Sequence, residues 1–170
     1  DVLRLQILQE HGGIYMDTDM LLLKPLYEWM GSKLVMSWEP SEPLGVSACN
    51  ALIISPPDNP FIDIWLHQLP AALKSDTWAE GGVNLPANIW KNHPVVAPEN
   101  AAIIDPYFFC PLDLKANWMF DPALKAEAKY KTKESLAIHV FETFWRVQIS
   151  QVTPEWCEQN DCLFSELSKS

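Results

Sequence analysis

An α/β fold is what the sequence predicts, on two observations. The first is the opening stretch DVLRLQILQEHGGIYMDTDMLLLKP: a helix, a Gly-Gly break, a short strand, two carboxylates and a second apolar run ending at proline. The second is the recurrence of short apolar runs (34–38, 51–54, 101–104 and 136–141) between segments of helical character (about 61–73, 83–91 and 122–133).

In the opening stretch Asp1 is an N-cap residue type, and Gly12-Gly13 stops the helix after roughly three turns. Asp1, Arg4, Leu8 and His11 fall at helical spacing, which puts three polar groups on one face. Ile14-Tyr15-Met16 is too short for a helix and suits a strand that leaves the sheet at Asp17. Asp17 and Asp19 are two apart, so in extended backbone their carboxylates share one side, with Thr18 opposite. Two anionic oxygen ligands at a strand end suit a hard divalent cation, Mg²⁺ or Mn²⁺, with positions left for phosphate oxygens. Asp pairs are common in solvated turns. At the mouth of a core strand, however, an unpaired carboxylate costs free energy, so a cation or a donor is expected beside it.

Beyond Pro25, Tyr27 to Gly31 reads as a helical turn and Leu34–Trp38 as a buried strand, followed by a loop from Glu39 to Gly45. Ala51–Ile54 is a strand entered through Cys49-Asn50. Pro56-Pro57-Asp58-Asn59-Pro60 ends it and leads into a helix from about Phe61 to Leu73, which Pro70 shortens or bends. A helix from about Val83 to Lys91 carries Pro86 in its first turn. Val95-Val96 and Ala101–Ile104 are short strand candidates, and Pro122 to Lys133 is a solvated helix of alternating charge. Leu136–Phe141 is the last core strand, with His139 near its end; a single His there is more often a satisfied core residue than a ligand. A peripheral helix is expected from about Leu163, so that 1–150 form the core and 151–170 a peripheral tail.

The 170 residues are 48% apolar, enough for one domain with a sizeable core. Most of the eight Trp are expected in that core, although aromatic faces also line sugar sites. A net charge of −10 and a pI near 4.7, with no basic run, argue against nucleic acid as a partner. A nucleotide diphosphate is still compatible if a cation bridges the two negative partners. No apolar stretch approaches the roughly 20 residues of a membrane span, and no signal peptide is seen. Cys157 and Cys162 have the spacing of a small disulfide loop, no zinc spacing is present, and Cys49 and Cys110 suit buried thiols.

The string D-x-L-R-x-x-I-L-x-E-x-G-G-I-Y-x-D-T-D-x-x-x-L-K-P-L, running from Asp1 to Leu26, resembles the sugar-binding DXD region of GT-A glycosyltransferases. The similarity is to the family 32 type, which includes yeast initiating mannosyltransferases, α-1,4-glycosyltransferases and bacterial capsule enzymes. N-A-L-I-I-S-P-P-x-N-P-F from Asn50 also resembles the family. So does the segment Tyr107–Leu112, and so does the C-terminal run Ile138-His139 with Trp145 six residues after the His. Trp78-Ala79-Glu80-Gly81-Gly82 falls where relatives hold a glycine-rich turn, but here Gly82-Val83 replaces Gly-Pro.

The resemblance implies a GT-A-like nucleotide-diphospho-sugar transferase fold, of which this chain is the C-terminal part. Roughly 80 to 100 residues of nucleotide-binding βαβ units would precede it. It implies a hexosyltransferase moving a sugar from a nucleotide sugar to a hydroxyl of a glycan or glycolipid, with retention, using Mn²⁺ or Mg²⁺. Asp17 and Asp19 would be catalytic and, with His139, hold the metal. Asp1, Arg4, Gly13, Tyr15 and Asn50 would face the donor, and Trp78, Glu80 and Gly81 the acceptor. The alternative for Asn50 is a turn amide; for Asp1 and Arg4, a helix cap and a surface cation; for Glu80, an exposed side chain. Two other functions compete. A haloacid-dehalogenase-type phosphatase would use Asp17 as nucleophile and Asp19 as general acid, though Leu21 stands where Thr or Val is usual. A non-catalytic carbohydrate-binding scaffold would keep the fold without the chemistry.

Overall fold

A computed structural model describes residues 1–40, 46–74, 77, 79–94 and 96–169. Helix α1 (Val2–His11) ends at Gly12, whose φ of 65° is open to glycine at little cost. A Cβ there would also lie 2.7 Å from Pro57 Cδ and 2.9 Å from Ser55 O, so this glycine lets the helix end press on the turn after the next long strand. Strand β1 (Gly13–Met16) follows, then β2 (Met20–Leu22), a 3₁₀ turn at Tyr27–Trp29, β3 (Leu34–Trp38) and the long β4 (Ala48–Ser55).

Helix α2 (Pro60–Ala72) starts at Asn59, whose side chain accepts from the Phe61 N–H at 2.9 Å, and it runs through Pro70. A π-helical turn, Glu80–Asn84, leads into α3 (Leu85–Asn92). Then come α4 (Val96–Asn100), β5 (Ala101–Ile104), α5 (Pro106–Phe109), α6 (Lys125–Thr132) and β6 (Ala137–His139). Three helices close the chain: α7 (Glu142–Ser150), α8 (Pro154–Gln159) and α9 (Leu163–Leu167).

The mixed α/β architecture is the predicted one. A four-stranded sheet has the order β1-β4-β3-β5, antiparallel except for the parallel β3–β5 pair, and β2 pairs antiparallel with β6 in a second, two-stranded sheet. Successive side chains of β4 alternate faces. Ile53 packs with Leu5, Phe61 and Trp65 beneath α1 and α2, while Leu52 and Ile54 pack with Phe109 and Phe141 on the other side. A third cluster joins Ile138 and Val140 to Phe120 and Leu163, so α9 is seated on the two-stranded sheet's side of the molecule.

Three sequence expectations need correction. Val96 opens a helix rather than a strand: Pro98 has no N–H to give a ladder, and Asn100 Nδ2 closes the turn on Val96 O at 2.7 Å; Val95 lies outside the described residues. Cys157 and Cys162 are free thiols, and Cys162 Sγ instead meets Ser165 Oγ at 3.2 Å. Asp1 stands at the N-cap of α1, yet its side chain makes no capping bond. Among the described residues no helix is long and apolar enough to cross a membrane.

Candidate active site

The two aspartates occupy the crossing from one sheet to the other. Asp17 N–H donates to Ala51 O at 2.8 Å, extending the β1–β4 ladder by one rung. Asp19 O accepts from Val140 N–H at 3.0 Å, next to the Met20–His139 pair that begins β2–β6. Pairing β2 with β6 therefore carries His139, 120 positions away in sequence, to the aspartates. One oxygen of each carboxylate and one imidazole nitrogen lie within 4.8 Å of one another. Hard oxygen donors with one imidazole fit Mg²⁺ or Mn²⁺, and the set is near enough to share one ion.

Electrostatics distinguish the two carboxylates. Asp19 Oδ2 lies 3.3 Å from His139 Nε2 and accepts from the Glu142 N–H at 2.8 Å. The His139 hydrogen bond, aided by the Glu142 N–H, prevails over burial and holds the Asp19 pKa at about 2. Burial opposes charge on His139, but Asp19 and the Cys49 thiol together raise its pKa to about 10. Asp17 Oδ1 accepts from the Tyr15 hydroxyl and lies 3.3 Å from Arg4 Nη1. Burial and that hydrogen bond push Tyr15 up to about 12.

Arg4 ties the remaining polar groups to the aspartates. Its guanidinium donates to Asn50 O at 2.8 Å, pairs with Asp1 Oδ1 at 3.3 Å and lies over the Tyr15 ring at 4.4 Å. Asn50 Nδ2 in turn donates to Asp1 Oδ1 at 3.1 Å. Asp1, Arg4, Tyr15, Asp17, Asp19, Asn50 and His139 all border one open cavity of 740 Å³.

Residues 1–42 match the family model described as the glycosyltransferase sugar-binding region containing a DXD motif. Asp17-Thr18-Asp19 is the D-x-D within that region. The chain is also 28% identical, over 98% of its length, to glucan organizing enzyme 1 of Cryptococcus neoformans var. grubii serotype A, and it spans 46% of that relative. No solved structure matches the chain.

The other residues singled out from the sequence are placed less uniformly around the DXD region. Gly13 has a φ of 104°, and a Cβ there would meet open space among the described residues, so within the protein its glycine is required by conformation and not by packing. Gly81 faces α2: a Cβ would lie 2.8 Å from Leu69 Cδ1, and its carbonyl accepts from Trp65 Nε1 at 2.9 Å. Glu80 accepts from Asn84 Nδ2 at 3.1 Å, within its own turn. Trp78 lies outside the described residues. His11, on the Asp1–Arg4 side by spacing, is exposed beside Glu10.

Sequence reasoning passed over two contributors. Gly82 brings the π-turn against the site so closely that a Cβ would fall 2.3 Å from Asn50 Nδ2 and 2.7 Å from Asp1 Oδ2; the Gly81-Gly82 pair was the available signal. Phe141 holds a left-handed conformation, φ 57°, with its ring 3.9 Å from the His139 ring, and nothing in an apolar strand signals that.

Proposed function

We propose that this protein carries the sugar-binding, metal-holding region of a GT-A-like, metal-dependent hexosyltransferase, which moves a sugar from a nucleotide diphosphate sugar to a hydroxyl of a glycan or glycolipid, with retention of configuration. The observation that carries the reading is the convergence of Asp17, Asp19 and His139 in one cavity with Asp1, Arg4 and Asn50. The name of the relative, a glucan organizing enzyme, favours a polysaccharide acceptor or product. Residues 1–150 would form the catalytic core and 151–170 its C-terminal extension.

Asp17, Asp19 and His139 would hold Mn²⁺ or Mg²⁺, which when bound neutralises charge on the leaving diphosphate. Asp1, braced by Arg4 and Asn50, would accept from sugar hydroxyls. Arg4 brings a cation to the same wall and fixes the fork of carboxylates around it. Tyr15 orients Asp17, Gly13 supplies the backbone turn before it, and Glu80, Gly81 and Trp78 belong to the segment on the acceptor side. The phosphatase reading loses support from Asp19: a carboxyl with a pKa of about 2 is ionised at neutral pH and has no proton to give as a general acid.

The test uses the natural full-length polypeptide. Calorimetric titration with UDP- and GDP-sugars should give binding that needs Mn²⁺ or Mg²⁺, and hydrolysis or transfer should follow. Asp17→Asn and Asp19→Asn should each lower transfer by a factor of at least about a hundred, the usual loss for one electrostatic stabiliser. Undiminished transfer by both variants in the presence of chelator would sink the metal-dependent reading. Metal-dependent donor binding without any turnover would favour the scaffold.

A further inference from the structure

His139 belongs to two clusters of ligand atoms. Besides the aspartates, it stands with the thiols of Cys49 and Cys110, and one ligand atom from each of the three lies within 4.8 Å of the others. The cysteines come from distant parts of the chain: Cys49 from β4, one residue before Asn50, and Cys110 from the end of α5, which packs on β3 and β6. Both sulfurs are buried and free of disulfides. The proposed function makes no use of them.

The two imidazole nitrogens have different surroundings. Nε2 is turned to Asp19, whereas Nδ1 is buried and, among the described residues, makes no hydrogen bond of ordinary geometry, although the Cys49 sulfur is near enough to favour a proton on the ring. A buried polar atom without a partner costs free energy, and an apolar residue would have filled the place more cheaply. Two thiols and an imidazole are also the wrong donors for Mg²⁺ or Mn²⁺ and the preferred donors for Zn²⁺, Cd²⁺ or Co²⁺. Tetrahedral Zn–S bonds of about 2.3 Å put ligand atoms roughly 3.8 Å apart, within the spacing of this cluster. An entry route exists, since Cys49 and His139 border a second cavity of 440 Å³ that shares Asn50, Phe141 and Phe144 with the first.

We propose that Cys49, Cys110 and the Nδ1 of His139 form a binding site for a thiophilic divalent cation, Zn²⁺ in the first instance, with a fourth position open to the 440 Å³ cavity. Binding releases the protons of the Cys49 and Cys110 thiols and the Nδ1 proton of the His139 ring to solvent. A metal on Nδ1 fixes the remaining ring proton on Nε2, which then donates to Asp19 and no longer offers a lone pair to an ion on the aspartates. The two clusters thus compete for one imidazole, and Zn²⁺ weakens binding of the hard cation. This consequence rests on the proposed function; the thiolate site itself does not.

The test uses the reduced, folded, full-length protein with Co²⁺ and ¹¹³Cd²⁺ as probes. Co²⁺ should develop a thiolate charge-transfer band that saturates near one equivalent, and the ¹¹³Cd resonance should fall in the range of mixed sulfur and nitrogen ligands. Cys49→Ala and Cys110→Ala should each remove most of the band, while Asp17→Asn should keep it. The cadmium spectrum of the wild type decides the matter even if a cysteine variant fails to fold. A resonance in the all-oxygen range, or a band that survives in both cysteine variants, overturns the site. With Zn²⁺ bound, Mn²⁺ affinity should fall at least about tenfold, and by linkage Mn²⁺ should weaken Zn²⁺ equally. Unchanged Mn²⁺ affinity would overturn the competition. Absent Mn²⁺ binding in the zinc-free protein would count against the proposed function, and the cobalt and cadmium spectra would still decide the thiolate site.

Discussion

Replacing Arg4 by Met should weaken the fold and strengthen metal binding at once. The guanidinium donates to Asn50 O at 2.8 Å and lies 3.3 Å from both Asp1 and Asp17. A charged hydrogen bond contributes about 1.5–3 kcal/mol, and each partly exposed ion pair at most about 1 kcal/mol. Loss of the set should therefore cost about 2–4 kcal/mol, or roughly 5–15 °C in Tm for a domain of this size. The opposite effect arises at Asp17. A divalent ion there would sit about 5 Å from the guanidinium, a repulsion of roughly 1–2 kcal/mol in water that salt partly screens. Mn²⁺ affinity should rise about five- to tenfold in Arg4→Met and stay nearly unchanged in Arg4→Lys, which keeps the charge but loses the fork. Electron paramagnetic resonance titration of free Mn²⁺ measures the affinity, and thermal denaturation in chelator measures the fold. Equal Mn²⁺ affinity in wild type and Arg4→Met would refute the placement of the ion at Asp17.

Other perturbations separate neighbouring roles. Gly82→Ala would set a Cβ 2.3 Å from Asn50 Nδ2, so the Asn50–Asp1 bond must break; nucleotide-sugar KM should rise severalfold while Tm falls by only a few degrees, and a normal KM would remove Asp1 from the donor site. Tyr15→Phe keeps the ring under Arg4 but frees Asp17 of its hydroxyl, which should weaken Mn²⁺ by about tenfold if Tyr15 orients that ligand. Gly12→Ala, strained by its φ of 65° and by contact with Pro57, should lower stability by more than about 1 kcal/mol without moving Mn²⁺ affinity, as read by denaturant titration. In metal-free protein the His139–Asp19 pair should shape stability against pH. His139 is raised from 6.5 to about 10, so its contribution is complete below pH 6.5 and lost as pH climbs through 10; Asp19 is lowered from 3.8 to about 2, so its share is complete above 3.8 and lost as pH drops through 2. His139→Gln should flatten the alkaline fall in Tm, and an unaltered slope would contradict the pairing.

What the sequence made legible was local, and the reason lies in how each signal is encoded. The helix from Asp1 to the Gly-Gly break, the strand before Asp17 and the helix that follows the proline-rich turn 56–60 are set by neighbours within a few positions, and each stands where its residues predict. Val96 misled because β-branched residues favour strands, while the proline two positions on decides the local backbone. The site itself is non-local. Asp19 meets His139 and the Glu142 N–H only because β2 pairs with β6, a register that periodicity alone does not specify. Asp1 shows the same limit from the other side: its residue type signals a cap, but Asn50 from β4 and the close approach of Gly82 draw the carboxylate into the cavity instead.

That diversion carries functional information. A capping bond would have satisfied the first turn of α1 with no help from the rest of the chain. The helix forgoes it, and Asp1 pairs with Arg4 and Asn50 instead. Three carboxylates around one cavity in a chain of net charge −10 repel one another, so the wall is held together by Arg4 on one side and the His139 proton on the other. A divalent cation on Asp17 and Asp19, as proposed above, would take over the second of those tasks, and the His139 proton would then be the group most directly exchanged for metal.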